Sequence, residues 1–214
     1  ADNTVERKFD FSASGVRQSL EGSLERLGID SVEILFIHDP DANADEAILE
    51  AYPELDRMRS EGIIKAIGVG MNQCETPTRV IKETDIDMVL IAGRYSLLDQ
   101  KALEGLFPAA LERNVDILAA GVFNSGILAN PVKGATYDYA PASDELLAKA
   151  VRIREVLEGH QVSLTSAALQ FPLRHPAVKS VLVGCRSAAE VATNIREFDK
   201  TIENKVWDDL VSVL

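Results

Sequence analysis

The 214-residue chain has no run approaching about 18 uninterrupted apolar residues, so no segment reads as a membrane-spanning helix. Cysteine is nearly absent: Cys74 and Cys185 stand far apart, without C-x-x-C or His/Cys spacing. That pattern argues against a metal site and reads as two reduced thiols in a cytoplasmic protein. Basic residues are outnumbered 22 to 34, for a net charge of −12. Such a surface repels phosphate backbones, which argues against a nucleic-acid partner. An anionic cofactor would need a local positive field instead, such as a helix N-terminus. The opening stretch Ala1–Lys8 has no apolar centre and does not read as a signal peptide. No low-complexity tract or Pro/Gly/Ser linker divides the chain, and its length suits a single domain over residues 1–214.

What is present is a regular alternation of helix and strand patterns. Val16, Leu20, Leu24 and Leu27 recur on one helical face, and Gly28 stops that helix. The apolar run Ile34–Ile37 reads as a parallel strand buried on both faces. Further helices are expected at 45–60, with a break at Pro53, then at 78–83, 101–113, 143–159, 164–174, 187–198 and 205–214. Strands are expected at 63–69, 88–92, 116–120 and 178–183, and a long loop at 121–142.

Strands separated by helices imply right-handed crossovers and a parallel sheet. An open dinucleotide-binding sheet carries a G-x-G-x-x-G turn after its first strand, whereas Gly68-Val69-Gly70 has no third glycine. A closed (β/α)8 TIM barrel is therefore preferred. Only five strands are found where such a barrel needs eight, so the first three β/α units are expected to be missing. The chain then runs as a partial barrel from about the third helix to the C-terminus.

Specific phrases carry a resemblance. Ser19-Leu20-Glu21-Gly22-Ser23-Leu24-Glu25-Arg26-Leu27-Gly28-Ile29-Asp30, then Val32 to His38, resemble the third helix and fourth strand of aldo-keto reductases. Gly62 to Val69 is similar to their fifth strand, and Gly184-Cys185-Arg186-Ser187 through Asn194 to the segment after the eighth. "HDPD", "GVGMNQ" and "AGRYSLLDQ" resemble the sugar and pyridoxal dehydrogenase branch of the family.

The resemblance implies a nicotinamide-dependent oxidoreductase acting on a small carbonyl or alcohol substrate, with NAD or NADP as cofactor. Of the family's Asp, Tyr, Lys and His around the carbonyl, only the His carries over, onto His38. This chain alone is thus expected to be inactive. Tyr52, Tyr95, Tyr137 and Tyr139 do not match the catalytic Tyr. Two rivals stand beside this reading: a non-catalytic nicotinamide-binding member of the family, and a phosphosugar-binding barrel enzyme.

Each site residue has a plainer reading beside the functional one. His38 closes an apolar strand where a barrel opens onto its active face, or merely satisfies the loop. His160 and His175 read as surface residues. Asn72 either holds the nicotinamide carboxamide or simply suits a turn. Tyr95 is a substrate contact or a packing residue, and Phe123 a substitute for a stacking aromatic that Ala120 does not supply. Asn124, Ser125, Gly126 and Leu128 resemble the segment that passes over the cofactor pyrophosphate, although an ordinary turn would look similar. Gly184 and Arg186 lead into a helix whose N-terminus suits an adenosine phosphate. Glu190 stands where NADPH-preferring relatives place Arg, which favours NAD; Ser187-Ala188-Ala189-Glu190 also fits a capping box. Asn194 matches an adenine contact. No metal ligand set is found, and nothing sets the oligomeric state.

Overall fold

The computed structural model describes residues 8–214, so the opening stretch read for a signal peptide lies, but for Lys8, outside the described residues. Helix α1 (Ala13–Leu27) begins at Ser12, whose hydroxyl accepts from the Gly15 amide, and ends at Gly28 with φ +68. Then follow β1 (Val32–His38), a short turn α2 (Ala44–Glu46), α3 (Tyr52–Ser60), β2 (Ile64–Met71), α4 (Glu75–Glu83) and β3 (Met88–Ala92). Next come α5 (Leu106–Arg113), β4 (Asp116–Ala120), a small hairpin of β5 (Thr136–Tyr137) and β6 (Ala140–Pro141), α6 (Asp144–Gly159) and α7 (Leu164–Gln170). The order closes with β7 (Val178–Leu182), α8 (Ala188–Phe198) and α9 (Asn204–Leu210).

The main sheet has five parallel strands in the order β1-β2-β3-β4-β7. All five strands therefore end on the same side. Ile67, Val69, Val89, Ile91, Ile117 and Ala119 are fully buried in it, and Leu55, Met58, Ile81 and Phe107 pack onto it from the helices. Each large side chain so buried contributes about 1.5–3 kcal/mol relative to exposure. No helix among the described residues is long and apolar enough to cross a membrane.

Several boundaries differ from expectation, and three of them turn on proline. The 45–60 helix is entered through a 3-10 turn and a wide π turn over Ala47–Ala51 before α3 begins. Pro53 has no N–H to bond Leu49, so the backbone widens just before it. The 101–113 helix splits at Gly105, which places Pro108 in the first turn of α5, where its missing N–H is not needed. By the same logic α4 starts at Glu75 rather than after Pro77.

Strand β1 is an edge strand, and of its residues only Ile37 is buried. This corrects the expectation of two covered faces, since apolar composition cannot tell a central strand from an edge. His160 and His175 are also more enclosed than expected. His160 pairs with Asp209 at 3.0 Å. The ring of His175 lies 4.5 Å from that of Phe107, and burial lowers its pKa.

Candidate functional site

A cavity of about 930 Å³ opens at the C-terminal ends of β2, β3, β4 and β7. Strand ends deliver loops to this side of a parallel sheet, which is where ligands are held in α/β proteins. Among the expected site residues, Asn72, Phe123, Asn124, Ser125, Gly126, Gly184, Arg186, Glu190 and Asn194 line it.

The β4 side is built on close backbone approach. Gly121 has φ +63, and a Cβ there would lie 2.9 Å from the Gly93 nitrogen, so glycine is required on both counts. Asn124 is buried, with φ +44. Its Nδ2 donates to Gly93 O at 3.1 Å, and its Oδ1 accepts from Ser96 Oγ at 2.5 Å. Ser96 Oγ in turn accepts from the Leu98 and Asp99 amides. The Asn124 amide is therefore spent inside the protein and shapes the cavity rather than reaching into it. Ser125, at φ +60, accepts from the Tyr139 amide at its hydroxyl and from Thr136 Oγ1 at its carbonyl.

On the β7 side, Ser187 caps α8 by accepting from the Glu190 amide at 3.2 Å. Glu190 Oε2 reaches back to accept from the Arg186 amide at 2.7 Å, one residue before the N-cap, in a variant of the capping box. The amides of Ala188 and Ala189 lie in the first turn, where the helix itself offers no acceptor. Arg186 is 94% exposed beside Glu190, its Nε 3.6 Å from Oε1. Asn194 Nδ2 donates to Cys185 Sγ at 3.3 Å, so this thiol also faces the cavity. Both cysteines are free.

Three expected site residues lie elsewhere. His38 ends β1 on the correct side, but it is 74% exposed and outside the cavity wall, with Nδ1 3.4 Å from Asp39 Oδ2. Asp39 itself takes φ +47 while its amide donates to Gly70 O. Tyr95 is a core residue, its ring 4.7 Å from Phe107 and 5.1 Å from Phe171, and burial raises its pKa. Leu128 is fully buried and packs the core. For Tyr95 and Leu128 the packing reading replaces the ligand contact, because neither side chain reaches the cavity.

Asp138 and Tyr139 line the cavity without having been singled out from the sequence. They form the tip of the β5–β6 hairpin, and the bidentate pair of Asp138 with Arg94 (Nη1–Oδ1 3.1 Å, Nη2–Oδ2 2.7 Å) ties that tip to the end of β3. A hydrogen bond to Asp138 is the main reason the Arg94 pKa is raised. The turn has no glycine, so the usual hairpin signal is missing; only Thr136 and Tyr137 hint at a strand. A smaller cavity of about 570 Å³ lies alongside, shares Asn72 and includes Arg94 and Cys74 in its wall. Burial pushes the Cys74 thiol up to about 11, so it is an unreactive thiol at neutral pH. Among the described residues no cluster of three or more His, Cys, Asp or Glu is placed to hold a metal ion.

Comparison with known proteins identifies the family. The chain is 40% identical over 209 residues to D-threo-aldose 1-dehydrogenase of a Pseudomonas species, covering 96% of this chain and 64% of that protein. It is 38% identical over 215 residues to pyridoxal 4-dehydrogenase of Microbacterium luteolum, covering 95% and 63%. The chain thus spans a little under two thirds of the length of these two relatives. Among solved structures, the holo form of an aldo-keto reductase from Bacillus halodurans superposes with a TM-score of 0.80 at 23% identity, over 96% of this chain and 68% of that one. The model of the Aldo/keto reductase family matches residues 2–214. The chain therefore belongs to the aldo/keto reductase family.

Proposed function

We propose that this chain supplies the dinucleotide-binding part of an oxidoreductase that acts on a small sugar, polyol or aldehyde. The observation that carries this reading is one cavity at the strand ends, which gathers eight residues expected to meet a nicotinamide cofactor together with Phe123, expected at the substrate. Its volume of about 930 Å³ lies within the range of cofactor sites, and the first turn of α8 offers unshared amides to a phosphate. The bound dinucleotide would supply the hydride chemistry. The chain's own residues bind and orient: Gly184, Arg186 and the α8 N-terminus toward a phosphate, Asn194 toward adenine, and Asn72 toward the carboxamide. NAD is the preferred form, because the Glu190 carboxylate at the helix start disfavours a 2′-phosphate and accepts from a ribose hydroxyl. The substrate class follows from the two relatives, whose names specify an aldose and pyridoxal.

We further propose that the sheet is part of a single (β/α)8 barrel, with three additional β/α units between the β1 and β7 edges. Support comes from those two edges, which leave strand groups unpaired, and from the fraction of each relative that the chain spans. His38, at the end of β1, would then face acid partners from the added strands and hydrogen-bond the substrate oxygen. Its exposure and position outside the cavity favour the second reading, a nucleotide-binding role without turnover by this chain alone.

The deciding experiment is an NADH fluorescence titration of the full-length protein, followed by NAD- and NADP-linked assays on aldoses, polyols and aldehydes. NADH binding with turnover supports the proposal. Binding without turnover would favour the non-catalytic reading. Binding of a sugar phosphate without NADH would favour a phosphosugar enzyme.

A further inference from the structure

Among the described residues, seven other than glycine have positive φ, and four of them, Asn124, Ser125, Asp138 and Tyr139, line the main cavity. Left-handed backbone is unfavourable for residues with a side chain and concentrates at ligand clamps. Asp138 and Tyr139, with φ +48 and +62, are the central pair of the β5–β6 turn, and two positive φ values are what a tight two-residue hairpin demands.

Four contacts outside the hairpin ladder hold this arm in place. The Arg94 guanidinium grips Asp138 through two hydrogen bonds. Tyr137 OH donates to Asp99 Oδ2 at 2.8 Å. The Tyr139 amide donates to Ser125 Oγ at 3.1 Å, and Thr136 Oγ1 to Ser125 O at 2.8 Å. The arm is thus fixed along β5 and at its tip, yet the residue it presents, Tyr139, is 94% exposed. A large aromatic on an ordered arm at a cavity rim has almost no contact with the protein itself. It gains apolar and stacking contact only when a flat partner enters.

We propose that Tyr139 is a ligand-binding residue whose ring stacks on a planar nitrogen heterocycle of the dinucleotide, with Arg94 positioning it through Asp138. This inference rests on the dinucleotide reading above. Adenine and nicotinamide both offer such a face, so the ring involved is resolved by the choice of probe.

The test is equilibrium binding of NADH, ADP-ribose and nicotinamide mononucleotide to the full-length protein and its Tyr139→Phe and Tyr139→Ala variants. Stacking of this kind changes affinity roughly tenfold. Tyr139→Ala is expected to weaken NADH by about that factor, while Tyr139→Phe stays within about twofold of wild type. The side chain makes almost no packing contact, so melting temperatures should match. A parallel loss for ADP-ribose assigns the ring to adenine, and a loss for the mononucleotide assigns it to nicotinamide. Arg94→Gln should weaken NADH comparably, and adding it to Tyr139→Ala should produce little further loss. Unchanged NADH affinity in Tyr139→Ala overturns the stacking role, as does a Phe variant as weak as Ala. Full additivity of the Arg94 change overturns its positioning role. If wild type binds no NADH, the dinucleotide reading falls together with this one, whereas unchanged variants of an NADH-binding protein defeat this one alone.

Discussion

Phe36 on β1 and Gly68 on β2 are register partners, and the Phe36 ring occupies the space that a side chain at position 68 would take. A Cβ on Gly68 would lie 2.5 Å from two ring carbons of Phe36 and 3.1 Å from the Met88 carbonyl oxygen. The glycine is therefore a packing requirement in the sheet, and it fixes how closely β1 lies against β2.

This contact predicts that Gly68→Ala lowers stability by about 1–3 kcal/mol, the usual range for overpacking. In a Phe36→Ala background the same change should be much milder, because the ring is gone and only the Met88 contact remains. Urea unfolding of the two single variants and the double variant measures the coupling. Additive losses would show that the ring does not set the constraint.

A second prediction concerns pH. Glu197 on α8 accepts from Lys200 Nζ at 2.6 Å and from both Ser163 and Ser166, which begin α7. These bonds, Lys200's first, hold its carboxyl at about 2 instead of the ordinary 4.5. A carboxyl with a depressed pKa in the folded state stabilises above its unfolded pKa, and that contribution disappears as pH falls toward the folded value. The clamp between α7 and α8 should thus weaken between about pH 4.5 and 2. Glu197→Gln should be less stable at neutral pH and show a flatter melting temperature across that window. An acid limb identical to wild type would remove Glu197 as its source.

Most of the fold can be read in the sequence because local chemistry and burial point the same way. Strands Met88–Ala92 and Asp116–Ala120 are compact, mostly apolar runs with alternate residues buried, and Ser12, Ser143, Ser163 and Ser187 each cap a helix with a side-chain hydrogen bond. The proline-bearing helices are less legible, because Pro77 and Pro108 break a helix interior but sit comfortably in a first turn. The open character of β1 depends on which strands pair with it, and no property of Ile34–Ile37 encodes that.

The site divides along the same line. Gly184, Glu190 and Asn194 follow one strand directly and start one helix, so their grouping is local and readable. The Asp138–Tyr139 arm is held at the cavity by Arg94, 44 residues earlier in the chain, together with Asp99 and Ser125. No periodicity or turn motif announces a contact of that range. Tyr95 shows the reverse case: a strand-end aromatic looks available for substrate until Phe107, Phe171 and His175 are found around it.

The capping box makes a third prediction, about cofactor choice. Glu190 both closes the α8 N-terminus and places a negative charge there. Glu190→Gln keeps an acceptor for the Arg186 amide and removes the charge. A unit charge about 4 Å from a phosphate in a water-exposed site is worth about 1 kcal/mol. The ratio of NADPH to NADH dissociation constants should therefore fall roughly fivefold. Glu190→Ala should shift the ratio similarly and also destabilise the chain by about 1 kcal/mol through the lost cap. Equal ratios in wild type and Glu190→Gln would mean that the carboxylate has no part in selecting the cofactor.

The fourth prediction separates shape from ligand contact at Asn124. Its amide is engaged by Gly93 O and Ser96 Oγ, so truncation leaves a buried carbonyl and a buried hydroxyl without their partner. Asn124→Ala should cost about 1–3 kcal/mol for that reason, with additional strain from a methyl side chain at φ +44. Asn124→Gly loses the same hydrogen bonds but relaxes the backbone, so the difference between the two variants reports the strain, less the extra chain entropy that glycine gives the unfolded state. Asn124→Asp retains an acceptor for Ser96 yet turns a carboxylate toward the Gly93 carbonyl, and should be the least stable of the three. Urea midpoints order the series, and NADH affinity measured alongside should weaken only in proportion to the disorder of the loop. A strong loss of NADH binding in a variant that unfolds at the wild-type midpoint would instead make Asn124 a direct ligand contact.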